Sequence, residues 1–190
     1  MATDPALLRA LREALGSDSV LTAAESCVAF ECDALTAHRR TPDLVVLPAS
    51  TGEVQSVLRI AAAHGTPVVA RGAGTGLSGG ALPVEGGLLL VLSKLDRILE
   101  IDPARRLARV QPGVTNLAIS EAARPHGLFY APDPSSQVAC TIGGNVAENS
   151  GGVHCLKYGL TVHNLLEVRL ATCDGEIITI GSALGEAPGL

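Results

Sequence analysis

Two glycine-rich segments contain the residues of this chain that are best suited to hold a polar ligand. The first consists of Arg71, Gly72, Ala73, Gly74, Thr75 and Gly76 and continues to Gly80. Glycines let the main chain turn its N–H groups inward, and the missing Cβ lets a ligand come close. A row of such N–H groups forms a nest for an anion such as a pyrophosphate, and Arg71 adds a positive charge. The first segment therefore predicts a phosphate-binding loop.

The second segment lies between residues 131 and 152 and combines hydroxyl and amide groups with bare backbone. Its candidate ligand contacts are Pro132, Asp133, Ser136, Thr141, Gly143, Gly144, Asn145, Asn149, Gly151 and Gly152. Such a mixture can orient a polar cofactor, and the stretch without a sustained period is longer than most loops that lack a function. Two such segments in one chain predict a single extended ligand that is contacted at several points.

Two other interpretations of the first segment stay open. Gly74, Gly76 and Gly79 match the GxGxxG fingerprint of nicotinamide-dependent dehydrogenases, and Asp96 follows at a suitable spacing. That fingerprint requires a helix that starts inside the motif, whereas the glycines and Pro83 that follow favour a loop between two strands. A surface loop without a ligand is the other alternative, although so many glycines make such a loop costly in chain entropy.

The cysteines and histidines carry weaker signals. The five cysteines are odd in number and irregularly spaced, which favours reduced thiols over a disulfide framework. Cys27 and Cys32 have no matching second pair, so we expect no metal site. His38, His64 and His126 are expected in solvent beside helix ends or loops, and His154 and His163 are expected to have packing or supporting roles beside the second segment. The sequence therefore indicates no catalytic residue.

A βαβ pattern precedes the first segment and would position it. Residues 44–47 form a continuous apolar run, which is typical of a strand buried on both faces. Ser50 and Glu53 have the spacing of a capping box that opens a helix. Residues 67–70 then predict a second buried strand, parallel to the first. Upstream, residues 5–15 predict an amphipathic helix.

The remaining elements complete an α+β fold with two lobes, a small parallel βαβ lobe and a larger, mainly antiparallel lobe. We expect residues 17–41 to be irregular and residues 131–159 to lack a regular element. The antiparallel lobe is predicted from strands at 88–92, 98–101 and 107–110, a helix at 115–124, and a hairpin of 165–171 with 176–180 across Asp174-Gly175. In domains, residues 1–41 are expected to form a leading helical and irregular segment, and residues 42–190 to form the ligand-binding domain.

Composition excludes several other classes of function. Apolar residues make up 47% of the chain but aromatic residues only 2%, so the core is aliphatic and no stacking surface for single-stranded nucleic acid is expected. The net charge of -5 argues against any partner with a phosphate backbone. The sequence has neither a signal-peptide pattern nor a transmembrane run of apolar residues, so we expect a cytoplasmic protein.

In this order and spacing, the two segments resemble those of the FAD-linked oxidases of the vanillyl-alcohol oxidase type. The likeness is carried by residues 70–81, 131–136 and 141–152, and also by 152–159 and by 27–33. It implies FAD between the two lobes, with residues 71–76 around the pyrophosphate and residues 133–152 along the rest of the cofactor. Many members attach FAD covalently through a histidine in the first segment, where this chain has Thr75, so we expect non-covalent FAD.

The resemblance also implies an activity, the oxidation of a small 2-hydroxy acid of the glycolate or D-lactate type. Electrons would pass to a partner subunit, which would hold the protein at the inner membrane. Members of the family continue into a cap domain that supplies substrate-binding and catalytic residues, so we expect this chain to be a fragment that is inactive alone. A non-catalytic flavin-binding or assembly module is the main alternative function, and a nicotinamide-dependent dehydrogenase is a more distant one.

Overall fold

The computed structural model describes residues 3–182, and the predicted α+β class is confirmed in this part of the chain. The helices are α1 (Pro5–Leu15), α2 (Ala24–Cys27), α3 (Thr51–Ala63), α4 (Asn116–Ala123), α5 (Ile142–Glu148) and α6 (Cys155–Tyr158). The strands are β1 (Val20–Leu21), β2 (Val45–Val46), β3 (Val68–Arg71), β4 (Leu88–Val91), β5 (Ile98–Asp102), β6 (Leu107–Val110), β7 (Glu167–Ala171) and β8 (Ile177–Gly181).

The first lobe is a four-stranded sheet in the order β1-β2-β4-β3. Both strands of the predicted βαβ unit, β2 and β3, run parallel to β4, and β4 lies between them. The assignment of residues 88–92 to the antiparallel lobe is therefore wrong. All four residues of β4 are buried, as expected for a central strand of a parallel sheet with both faces covered.

The core of this lobe covers both faces of the sheet because side chains alternate along each strand. On one face, Val46 packs with Leu88, Leu90 and residues of α1 and α3 such as Leu11 and Val57. On the other face, Val45, Leu89, Val91 and Cys27 form a second buried cluster. α1 contributes to the same core as β2 and β4. The proposed domain boundary between residues 41 and 42 stays a prediction.

Two expectations for the first lobe are wrong. β3 is only half-buried, because it pairs with β4 alone and so lies at the sheet edge. An apolar run does not by itself distinguish a central strand from an edge strand. Residues 17–41 are also more regular than expected, since β1 pairs antiparallel with β2 and α2 contributes Cys27 to the core.

The second part contains the predicted antiparallel hairpins, β5 with β6 and β7 with β8. The loop between β7 and β8 has three residues rather than two, because the Thr172 N–H donates to the Glu176 carbonyl at 2.9 Å. Gly175 has a φ of 78°, the left-handed conformation that such a loop requires at its last position. α4 begins where predicted, with the Thr115 hydroxyl accepting from the Ala118 N–H at 3.2 Å.

Residues 131–159 contain two helices that the sequence did not predict, α5 and α6. Helix propensity did not predict α5, because its first turn contains two consecutive glycines, Gly143 and Gly144. The fold requires Gly143, because a Cβ there would lie 2.7 Å from the Cβ of Pro112. Close packing therefore explains this glycine. Among residues 3–182, no helix is long and apolar enough to cross a membrane.

Candidate cofactor-binding site

The first glycine segment is the connection between β3 and β4. Residues 72–87 carry no helix, and the chain passes directly from one parallel strand to its neighbour. The prediction of a strand–loop–strand arrangement is confirmed. A nicotinamide fingerprint needs a helix that starts inside the motif, so the structure removes the basis of that alternative.

The main chain of this loop presents a row of N–H groups without acceptors. In the part of the chain that the structure describes, the N–H groups of residues 73 to 78 donate no hydrogen bond. The next one, at Gly79, donates to the Asp33 carboxylate at 3.0 Å. Residues 74 to 76 are half-buried, so their N–H groups gain most from a ligand with oxygen acceptors. This row fits the predicted phosphate nest.

The Arg71 side chain shapes the loop from inside. Its guanidinium donates to the Cys32 carbonyl at 2.8 Å and to the Ala81 carbonyl at 3.2 Å, and it lies 5.8 Å from the centre of the Phe30 ring. Burial lowers the pKa of this guanidinium from its ordinary value. A Cβ on Gly74 would collide with the same guanidinium. Contact between Arg71 and a phosphate stays a prediction, while its observed contacts hold the loop together.

The two glycine segments come together in the structure. A Cβ on Gly72 would collide with the Thr141 hydroxyl, so these residues are in close contact. Further along both segments, the Ser78 hydroxyl donates to the Glu148 carboxylate at 2.8 Å. The glycine at position 72 therefore allows the first segment to pack against the start of α5.

Thr141 is a buried residue of the second segment whose hydroxyl lacks a hydrogen-bond partner among the described residues. The residue is 5% exposed, and its Oγ1 is a buried side-chain atom without a hydrogen-bond partner among the described residues. It precedes α5 but does not cap it with its side chain. Leaving a buried hydroxyl unsatisfied costs about 1–3 kcal/mol. A ligand held between the two segments would remove that cost, so the residues present fit a polar cofactor.

Asn145 was a predicted ligand contact, and the structure shows its side chain bound to other parts of the protein. Its Oδ1 accepts a hydrogen bond from the Asn116 side chain at 3.0 Å, and both residues are buried. The sequence did not indicate Asn116, because an asparagine at the start of a helix looks like an ordinary capping residue. Gly144 lies nearby, and a Cβ there would be 3.4 Å from the Thr141 hydroxyl.

The remaining predicted contacts form a compact part of the second segment. Pro132 is buried, and a Cβ on Gly152 would collide with the backbone of Pro132 and Asp133. Gly151 is packed as closely, since a Cβ there would lie 2.6 Å from the Leu160 side chain.

Two other predicted contacts of the second segment take part in hydrogen bonds within the protein. Asn149 adopts a φ of 49°, and its side chain accepts from the Val162 N–H at 3.0 Å. The Ser136 carbonyl accepts from the Cys140 N–H at 2.8 Å. Their contact with a ligand stays a prediction.

Three of the five histidines, His64, His154 and His163, have structural partners. His64 lies 3.0 Å from the Asp4 carboxylate, so the expectation that it is only solvated is incomplete. His154 packs edge-on against Phe129 and Tyr158, with ring centres 6.2 and 6.3 Å away. His163 accepts the Leu160 N–H at 3.1 Å. These contacts agree with packing and supporting roles beside the second segment.

The chain is similar in sequence to a family of FAD-binding domains and to oxidoreductases that contain one. The model of the FAD binding domain family matches residues 42–181. Glycolate oxidase subunit GlcD of Escherichia coli (strain K12) is 58% identical over 96% of this chain and 37% of its own length. D-lactate dehydrogenase of Archaeoglobus fulgidus is 41% identical over 80% of this chain and 34% of its own length. D-2-hydroxyglutarate dehydrogenase of Xanthomonas citri pv. viticola is 35% identical over 96% of this chain and 38% of its own length.

Solved structures share the fold at lower sequence identity. Alkyldihydroxyacetonephosphate synthase superposes with a TM-score of 0.84 at 22% identity, covering 98% of this chain and 36% of that one. p-Cresol methylhydroxylase with bound substrate gives a TM-score of 0.75 at 24% identity, covering 97% and 36%. The chain spans less than two fifths of the length of each of these proteins.

Proposed function

The chain belongs to the FAD binding domain family, and on this premise we propose that it is the FAD-binding part of a flavin-dependent oxidoreductase acting on small 2-hydroxy acids. The single observation that carries the proposal is the contact between the two glycine segments at Gly72 and Thr141. This contact joins two groups that lack hydrogen-bond partners among the described residues. One is the row of N–H groups of residues 73 to 78 in the first segment, and the other is the buried Thr141 hydroxyl in the second.

FAD is the cofactor of this family, and the two segments would hold it by different means. The N–H groups of residues 73 to 78 are suited to the charged pyrophosphate, because a nest of such groups compensates negative charge without a mobile side chain. The Thr141 hydroxyl is suited to a single directional hydrogen bond. Arg71 and Asp33 would act indirectly by fixing the loop, through their hydrogen bonds to Ala81 and Gly79.

The chemistry of the reaction would come from the cofactor, and the protein would bind and orient it. When bound, FAD supplies the acceptor for the hydride equivalent that leaves the α-carbon of a 2-hydroxy acid. The residues of this chain would keep the cofactor in one position by closing the first segment against α5. The Ser78–Glu148 hydrogen bond at 2.8 Å supports this closure at the far end of the two segments.

The substrate class rests on the relatives. The three relatives are named for glycolate, D-lactate and D-2-hydroxyglutarate, which are all 2-hydroxy acids, and the glycolate relative is 58% identical to this chain. We therefore expect a 2-hydroxy acid substrate for the complete enzyme. Because the Escherichia coli relative is described as a subunit, we also propose that electrons leave through a partner subunit. Location in the cytoplasm, with membrane contact through such partners, is part of the same proposal.

Reconstitution with FAD tests the cofactor part of the proposal. The full chain is incubated with FAD, separated from free flavin, and examined by visible absorption and by flavin fluorescence. We expect a bound flavin spectrum that NAD does not compete with. Acid precipitation should then leave the yellow colour in the supernatant, because Thr75 offers no imidazole for covalent attachment. Flavin in the pellet would contradict non-covalent binding, and no binding at all would reject the proposed function.

A further inference from the structure

Three buried side chains, one of which belongs to the chain neighbour of Thr141, form a closed ring of hydrogen bonds. The Cys140 thiol donates to the Asn116 side-chain oxygen at 3.1 Å. The Asn116 amide donates to the Asn145 side-chain oxygen at 3.0 Å, and the Asn145 amide points back to the Cys140 sulfur at 3.8 Å. The exposed fractions of Asn116, Asn145 and Cys140 are only 1%, 2% and 5%.

The ring joins the start of α4 to two nearby positions of the second segment, since Cys140 and Asn145 are 5 residues apart and lie 24 and 29 residues after Asn116. Asn116 begins α4, Asn145 lies in the middle of α5, and Cys140 immediately precedes Thr141. Main-chain contacts follow the same path, since Thr115 forms an antiparallel bridge with Thr141 and the Ile142 N–H donates to the Val114 carbonyl at 2.8 Å. Thr141 is therefore joined to the ring through its chain neighbour Cys140, and its hydroxyl lies against Gly72.

Buried polar side chains need partners, and three that satisfy one another permit few alternative arrangements. Apolar side chains could fill the same space without fixing an orientation. The hydroxyl of Thr141, the residue after Cys140, in contrast, has no partner among the described residues. The protein therefore combines a fully paired ring with one unpaired hydroxyl.

We propose that Asn116 and Cys140 are positioning residues of the cofactor site, which act by fixing the Thr141 hydroxyl against the first glycine segment. This inference rests on the proposed function, since it takes FAD as the ligand. Asn145, which the sequence indicated as a direct contact, belongs to the same ring and acts through Thr141.

The test compares variants that break the ring with one that preserves it. Cys140→Ala removes the thiol, whereas Cys140→Ser keeps a group that both donates and accepts. Asn116→Leu breaks the ring at a second point with a side chain of similar size. Cys173→Ala is the matched control, because Cys173 is exposed and lies in the loop between β7 and β8. For each full-length variant, folding is checked by circular dichroism and FAD affinity by quenching of flavin fluorescence.

We expect Cys140→Ala and Asn116→Leu to bind FAD about three- to tenfold more weakly, because a displaced Thr141 hydroxyl loses its hydrogen bond to the cofactor. Cys140→Ser should restore affinity to within about twofold of the parent, and Cys173→Ala should not change it. In a Thr141→Val background, breaking the ring should cause little further loss, because its effect passes through the hydroxyl that is already gone.

Other outcomes separate this inference from the proposed function. If the parent chain does not bind FAD, the proposed function fails first. If the parent binds but the broken-ring variants bind equally well, the positioning role is wrong while the proposed function stands. A full loss in the Thr141→Val background, or unfolding of both broken-ring variants, would assign the ring to general stability and would also overturn the inference.

Discussion

Gly76 is a glycine that the fold itself does not require. A Cβ at this position would meet no protein atom within 4 Å, and its φ is not positive. If a ligand lies against this part of the loop, Gly76→Ala should weaken FAD binding by about 1–3 kcal/mol, the usual cost of overpacking. The free energy of unfolding of the ligand-free chain should not fall, and it should rise by up to about 1 kcal/mol because alanine restricts the unfolded chain. The two quantities are measured by flavin fluorescence titration and by urea unfolding.

The matched control for Gly76→Ala is Gly52→Ala. Gly52 lies in the first turn of α3, where a Cβ would be 3.9 Å from the Ser50 hydroxyl, an ordinary contact. The control should not weaken FAD binding, and it should stabilise the chain, because alanine is favoured over glycine in a helix by up to about 1 kcal/mol. Equal FAD affinity in Gly76→Ala and the parent would show that the ligand does not approach this glycine.

Thr141→Val should have opposite effects on stability and on binding. Valine has nearly the same shape but no hydroxyl, so it removes the cost of an unpaired buried group in the ligand-free protein. Unfolding in urea should therefore show equal or higher stability, by up to about 1 kcal/mol, while FAD affinity falls by about 0.5–1.5 kcal/mol. Thr141→Ser keeps the hydroxyl and should retain most of the affinity. A destabilised valine variant with unchanged FAD affinity would mean that the hydroxyl serves the fold.

At the residue scale, the sequence predicted the site only where local chemistry reveals it. Gly72 and Thr141 stand in segments rich in glycine and hydroxyl groups, and the structure brings them into contact. Asp33 and Asn116 escaped prediction because their partners are distant in the chain. Asp33 binds the N–H of Gly79 from 46 positions away, and no local pattern marks such a residue.

At the element scale, α3 begins with the Ser50 cap that the sequence predicted, but the predicted capping box is only half formed, because Glu53 binds the N–H of Ala49 and not that of Ser50. The Ser50 hydroxyl accepts from the Glu53 N–H at 3.2 Å, and the Glu53 carboxylate accepts from the Ala49 N–H at 2.8 Å. Ser50→Ala should lower the free energy of unfolding by about 1 kcal/mol, because one N–H group at the start of the helix loses its partner. The measurement is the urea midpoint at constant slope.

Ser56→Ala is the matched control for Ser50→Ala. Ser56 lies in the same helix, and its hydroxyl only donates to the Gly52 carbonyl one turn earlier, at 3.0 Å. Its replacement should be neutral or slightly stabilising, since alanine has the higher helix propensity. An equal loss of stability in both variants would show that the cap contributes nothing specific to α3.

Elements were predictable where a short signal defines them and were missed where pairing defines them. The Ser50 cap of α3 was predicted and is formed, and the structure shows that α1 and α4 also begin at side-chain caps, Asp4 and Thr115. β1 has only two residues and exists because it pairs with β2. α5 exists because Gly143 fits against Pro112, a contact that no periodic pattern reveals.

At the scale of the whole molecule, sheet order decides where the ligand loop lies. β4 separates β2 from β3, so the chain crosses from the edge strand β3 to the centre of the sheet through residues 72–87. This loop leaves the carboxyl end of β3, and in sheets with parallel strands ligands commonly bind outside the carboxyl ends. The sequence predicted parallel strands but not this order, because strand pairing depends on contacts across the whole lobe.

The 190-residue chain spans 37% of its glycolate oxidase relative, and we expect it to be almost inactive by itself. Oxidation of a 2-hydroxy acid needs a cation to hold the carboxylate and a base for the hydroxyl. The cations that follow the second segment within residues 153–182 are Lys157 and Arg169, both exposed, and Arg71 is bound to carbonyl groups. Positioning alone can lower a barrier by about 7–11 kcal/mol.

We therefore expect the chain to bind FAD, which dithionite should reduce. With glycolate or D-lactate as substrate, the chain should reduce a dye at least about a thousandfold more slowly than the Escherichia coli enzyme. Comparable turnover would show that residues of this chain, with His154 and His163 as the first to replace, supply the missing base.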